Sequence, residues 1–187
     1  MWQRTGIEEN IMSRYMSERE RDAWYQFLTA VETNDCATVQ RMRGQFTDQK
    51  LGTQLVDAAR FNSVEVVAEL LTNPKKDILM YVHDAVMKST ERGNTDVLRI
   101  VLQHADPTRV ECFSLALWGA LVHNHPPCVD ILFDWIDVDY VLRIAHERGA
   151  RSNAAFATFE QKIAERQNAL LTNEIAHTHA TRGTRKM

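Results

Sequence analysis

The sequence predicts an all-α fold, a stack of antiparallel helix pairs, on three observations. The chain matches itself at a near-constant offset, each copy carries two short apolar stripes of helical period, and the residue between the stripes is Asn or Gly. Self-similarity at such a period is the mark of repeat architectures. Shifting by 31 carries Asn62 onto Gly93 and then Asn124. The same shift aligns Val66, Val97 and Cys128, then Val67, Leu98 and Val129, then Leu70, Val101 and Leu132, then Leu71, Leu102 and Phe133. Before the pivot, Leu55, Val86 and Leu117 coincide, as do Ala58, Ser89 and Ala120. An earlier copy fits at 28, with Phe27, Ala30, Asn34, Val39 and Met42 in register. Four repeats are legible.

Within one repeat, residues 66, 67, 70 and 71 share one face of a helix, because positions three and four apart lie over one another. Leu55, Ala58 and Ala59 form a narrower stripe whose small residues admit a close neighbour. Positions 34, 62, 93 and 124 are Asn, Asn, Gly and Asn, the residue types that tolerate the left-handed conformation ending a helix. The segments "TNPKKDIL", "QHADPTRV" and "WIDVDY" read as turns. "SERE" at Ser17 to Glu20 has capping-box spacing and opens the helix carrying Trp24, Phe27, Leu28 and Val31, with Ile7, Ile11 and Tyr15 suggesting a shorter helix before it. Phe156, Phe159, Ile163 and Leu170 follow helical spacing from a start near Ser152. The expected organisation is a helical extension over 1–23, repeats over 24–139, a divergent helical cap over 140–173 and a flexible tail over 174–187.

Composition sets the class. With 187 residues, 44% apolar and 25% charged, the chain is that of an ordinary globular domain, and its apolar runs fall short of a bilayer span. The opening lacks the basic-then-apolar layout of a secretory signal, so a cytoplasmic setting is expected and no membrane association. Cys36, Cys112 and Cys128 are an odd set without a CxxC pair and read as reduced thiols, Cys128 in the core. A formal charge of -3 gives no electrostatic case for nucleic acid.

These repeats resemble the ankyrin repeat family. "TQLVDAARFNSVEVVAELL" keeps Thr53, Leu55, Ala58, Ala59, Val66, Val67, Leu70 and Leu71 of the family pattern, and "LQHADP" at 102–107 is similar to its finger. The family's Pro and His are replaced by Gln54 and Val56, Ala85 and Met87, and Ala116 and Trp118, so its usual hydrogen bonding between repeats is not carried over to this chain. Gly149 falls 25 residues beyond Asn124, so the register fails after Asp139 and the remainder reads as the cap that a stacked array needs.

No complete catalytic or metal-binding set is legible. "HTH" at His177 to His179 has no third ligand beside it, and His123 and His125 sit in a turn between helices. Phosphate loop, GxGxxG and HExxH motifs are absent. Trp118 occupies the inward slot of Val56 and Met87, and Trp135 follows the last apolar turn of a helix, so both read as packing residues. The expectation is therefore no enzyme, no metal and no cofactor.

What remains is surface. The resemblance implies a face of first helices and turn tips that binds another protein. Its expected contact residues are Asp57, Arg60 and Phe61, then Lys88, Glu91 and Arg92, then His123 beside Val122. They differ between repeats while the apolar stripe stays constant, which suits one irregular partner protein. The leading reading is a module that occupies a partner's surface as an inhibitor, adaptor or assembly factor. The alternatives are an enzyme with a site assembled across repeats and a homo-oligomer formed through the terminal helices.

Overall fold

The computed structural model describes residues 17–148 and 153–183, which form helices and turns with no strand among them. The suggested helix around Ile7, Ile11 and Tyr15 lies outside the described residues. The chain divides into two compact units, one running to Ser89 and including Asp96–Ala105, the other made of Thr90–Thr95 and the chain from Asp106 on.

The first unit opens with α1 (Glu18–Glu32) and α2 (Cys36–Met42), a 3-10 turn at Arg43–Gln45, then α3 (Asp48–Phe61), α4 (Val64–Leu70) and a short α5 (Lys76–Leu79). It also holds most of α6 (Val82–Arg92) and α7 (Thr95–Leu102). Ser17 starts α1 as a full capping box: its hydroxyl accepts from the Glu20 amide at 3.3 Å while Glu20 takes the Ser17 amide at 2.8 Å. Asp35 caps α2 through Thr38 N–H, and Thr47 caps α3 through Lys50 N–H. Helix α1 packs on α2 and α3, α2 on α4, and α3 on α4 and α5. The stripes expected to be apolar are inside, with Phe27, Val39, Leu55, Val66, Val67 and Leu70 fully buried. Gly52 lets α3 approach the turn after α5, since a Cβ there would overlap the Tyr81 ring.

The second unit contains α8 (Val110–Val122), α9 (Pro126–Leu132), a 3-10 turn at Phe133–Trp135, α10 (Val138–Arg148) and α11 (Ala154–Gly183). Helix α8 is apolar nearly all round and packs on α9, α10 and α11, burying Phe113, Leu117 and Leu121. Asp137 caps α10 through Tyr140 N–H, and Asn153 caps α11 through Phe156 N–H. Phe159 of α11 meets Phe133 edge-on at 6.0 Å, and Lys162 pairs with Asp130 at 3.1 Å. Trp118 is half-buried like its register mates Val56 and Met87, and Trp135 lies edge-on to Phe113 at 5.0 Å.

All four pivots are left-handed, with φ of 58° at Asn34, 61° at Asn62, 73° at Gly93 and 58° at Asn124. Asn34 and Asn124 do more than tolerate this conformation. Asn34 Oδ1 accepts from the amides of Glu65 and Val66, in the first turn of the next pair's second helix, and Ser63 hydroxyl donates back to the Val31 carbonyl at 2.5 Å. The second unit repeats this arrangement: Asn124 Oδ1 accepts from Ala155 N–H at 3.0 Å, and Asn153 donates to the Leu121 carbonyl at 2.7 Å. Ser63 and Asn153 thus hold equivalent places.

These bonds join the end of α8 to the start of α11 in the way the earlier ones join the end of α1 to the start of α4. The segment expected as a divergent cap is thus tied to the end of α8 through Asn153 and Asn124. Helix α11 continues to Gly183, and α1 begins at Glu18, where the capping-box spacing of Ser17 to Glu20 places its start. The turns differ as well: "TNPKKDIL" contains the short helix α5, and Asp106 Oδ1 closes a local turn by accepting from Thr108 N–H and hydroxyl.

Where the third pivot is Gly93, no side-chain carbonyl exists, and His125 fills the space. Its Nε2 donates to the Glu91 carbonyl at 3.1 Å, and a Cβ on Gly93 would lie 2.7 Å from His125 Nδ1. Gly93→Val should therefore destabilise the protein by about 2 kcal/mol or more, combining left-handed strain at a β-branched residue with displacement of the imidazole. Chemical denaturation checks the value, and His125→Ala in the same chain should recover the steric part of the loss.

Candidate protein-binding surface

The expected contact residues fall into two local groups. Asp57, Arg60 and Phe61 occupy the last turns of α3, all half-buried. Arg60 Nη2 pairs with Asp57 Oδ1 at 3.2 Å, one helical turn away, and its Cζ stands 4.7 Å from the centre of the Phe61 ring. The aromatic face is thus covered on one side by a guanidinium that a carboxylate holds in place. The helix ends directly after it because Asn62 turns left-handed, with its amide bonded to the Ala58 carbonyl.

The second group surrounds the Gly93 pivot. Glu91 is half-buried and Arg92 exposed at the end of α6, and His123 is the exposed C-cap residue of α8. His123 stacks on His125 with ring centres 6.4 Å apart, and His125 reaches the Glu91 carbonyl. Lys88 is half-buried on α6, nearly a turn before Glu91. Arg92 and His123 occupy the register position of Phe61, so one place is aromatic in the second repeat and polar in the third and fourth.

Chemistry is sparse among the described residues. No three His, Cys, Asp or Glu side chains lie where they could hold a metal ion. No helix there is long and apolar enough to cross a membrane. The side chains of His177 and His179 lie outside the described residues. Cys36 is half-buried, and its thiol is pushed up by burial and by the carboxylates of Glu69, Glu65 and Asp35. The Glu69 carboxyl is in turn held below its usual range by Gln40 and Arg43, whose guanidinium also reaches the Glu69 carbonyl at 3.0 Å. That cluster ties α2 to α4, and its bonds are used up internally.

One feature was not legible in the sequence. A cavity of about 620 Å³ opens between the start of α8 and the start of α10, lined by Arg109, Glu111, Cys112, Asp137, Tyr140 and Arg143. Arg109 closes a segment that reads as a turn, Glu111 and Cys112 follow it, and residues 140–143 belong to the expected cap, so nothing in one dimension joins them.

Cys128 is fully buried on α9, and its thiol is raised to about 11 by desolvation. An alkylating reagent at neutral pH should label Cys128 only after unfolding, a result that peptide mapping of the labelled chain checks directly. Because burial raises the folded thiol's pKa, its contribution to stability is complete below the ordinary value of 9.0 and is lost as pH rises through about 11. No protein-family model matches the chain, and no curated protein or solved structure was found to be similar to it.

Proposed function

We propose that this chain is a non-enzymatic protein-binding module, an ankyrin-like array of helix pairs that works in the cytoplasm by occupying the surface of a partner protein. The array reading is supported by the shared left-handed pivots and by the repeated asparagine bonds within each unit. Its helices differ from the family pattern in the connections, where 3-10 turns and α5 stand in place of plain fingers.

The observation that carries the binding reading is the Asp57, Arg60, Phe61 cluster. A partly exposed ion pair contributes little to stability, about 0 to 1 kcal/mol, so its main effect is on order. It restrains a long side chain against an aromatic ring before any partner arrives. Fewer rotamers are then lost on association, and an aromatic residue beside an arginine is a common composition for an interface hot spot. The opposing account is that Phe61 simply completes the packing at the end of α3. Partial burial is compatible with both, and mutation separates them.

In a Phe61→Ala, Arg92→Ala chain the melting temperature should stay within a few degrees of wild type. Affinity for a partner recovered by wild-type pull-down should fall by at least about tenfold, or 1.4 kcal/mol. Normal binding by the folded double variant would remove both residues from the interface.

A further inference from the structure

We infer that the cavity between α8 and α10 is a groove for an extended peptide segment presenting one carboxylate side chain, and that Arg109 and Arg143 are the residues that read it. The inference rests on the binding-module reading and assigns a second contact surface and a class of partner to it. Three observations carry it.

The first is that the groove is built rather than incidental. Its two walls are joined by Ser114, which is fully buried on α8. The Ser114 hydroxyl donates to the Val110 carbonyl at 2.9 Å and accepts from Asp137 N–H at 3.1 Å. One buried oxygen therefore fixes the start of α10 against the start of α8. The volume, about 620 Å³, is within the range of about 300 to 1,000 Å³ common for binding clefts.

The second is the state of its cations. Neither Arg109 nor Arg143 is held in an ion pair among the described residues, and both are exposed. Arg143 lies 5.2 Å from the centre of the Tyr140 ring. A guanidinium stacked in this way is oriented, while the N–H fork in its own plane can still donate to a planar acceptor. Carboxylate and phosphate are the acceptors that match such a fork.

The third observation chooses between those two. Glu111 and Asp137 share the lining with the arginines. Asp137 is engaged in accepting from Tyr140 N–H of its own helix, but the Glu111 carboxylate remains on the rim. The groove consequently has no large positive excess, which disfavours a free phosphate dianion. A peptide strand fits better, because one carboxylate can meet the arginines while a backbone amide or basic neighbour meets Glu111.

The test is a selection from a randomised peptide library displayed on phage, run against the full chain. Enriched peptides are then titrated into wild type and into Arg109→Ala, Arg143→Ala and Arg143→Lys chains of unchanged helicity. The groove predicts an Asp or Glu enriched at one fixed position and binding weakened at least about tenfold by either alanine substitution. Lys at 143 should restore only part of the affinity, since it keeps the charge but loses the fork. The inference is overturned if no peptide is enriched, if the acidic position is missing, if binding ignores both arginines, or if millimolar inorganic phosphate displaces the peptides. Because these peptides are read at Arg109 and Arg143, the inference can fail while the Phe61 surface still binds its partner.

Discussion

The left-handed asparagines at 34 and 124 tie helices of successive copies together, because the side chain of each bonds the start of a later helix while its backbone turns the chain. The backbone turns there through a region that most side chains avoid, and the turn aims the amide oxygen at the first amides of a helix roughly one repeat away. Those amides are helix-terminal donors without a partner inside their own helix, so the asparagine satisfies groups that would otherwise need water. Ser63 and Asn153 return a bond in the opposite direction, which makes each junction reciprocal.

Residue 93 shows the consequence of changing one element of the pattern. Glycine accepts the left-handed backbone more readily than asparagine but has no oxygen to offer. The junction is completed from the other side by His125, one residue past the fourth pivot, whose ring occupies the space an asparagine side chain would take. The glycine at 93 and the histidine at 125 are thus parts of one solution, and they place two stacked imidazoles at the surface where polar residues replace the aromatic of the second repeat.

The pivots and apolar stripes were legible in the sequence because each is enforced residue by residue: few side chains suit φ near 60°, and only one helix face can be buried. The junction between α8 and α11 was not legible. Helix α11 buries Ala155 and Phe159 in place of paired aliphatics, and its link to α8 runs through Asn153, whose bonds leave no hydrophobic period. The groove was hidden for a related reason. Ser114 looks like a gap in an apolar helix until its hydroxyl is seen joining α8 to α10. At the Phe61 surface, the residue types and their grouping were readable from helical spacing, whereas the ion pair that orients Arg60 required side-chain geometry.

Whether the pivot asparagine couples helix pairs as well as turning the chain can be measured in the stability of Asn34→Gly. Glycine keeps the left-handed turn and removes only the oxygen that Glu65 and Val66 share. If coupling is the main role, denaturation should show a loss of about 1 kcal/mol or more, with faster hydrogen exchange at the Glu65 and Val66 amides. An unchanged or increased stability would mean that Asn34 serves the turn alone and that the junctions are held by packing, contrary to the role assigned to the asparagine oxygen.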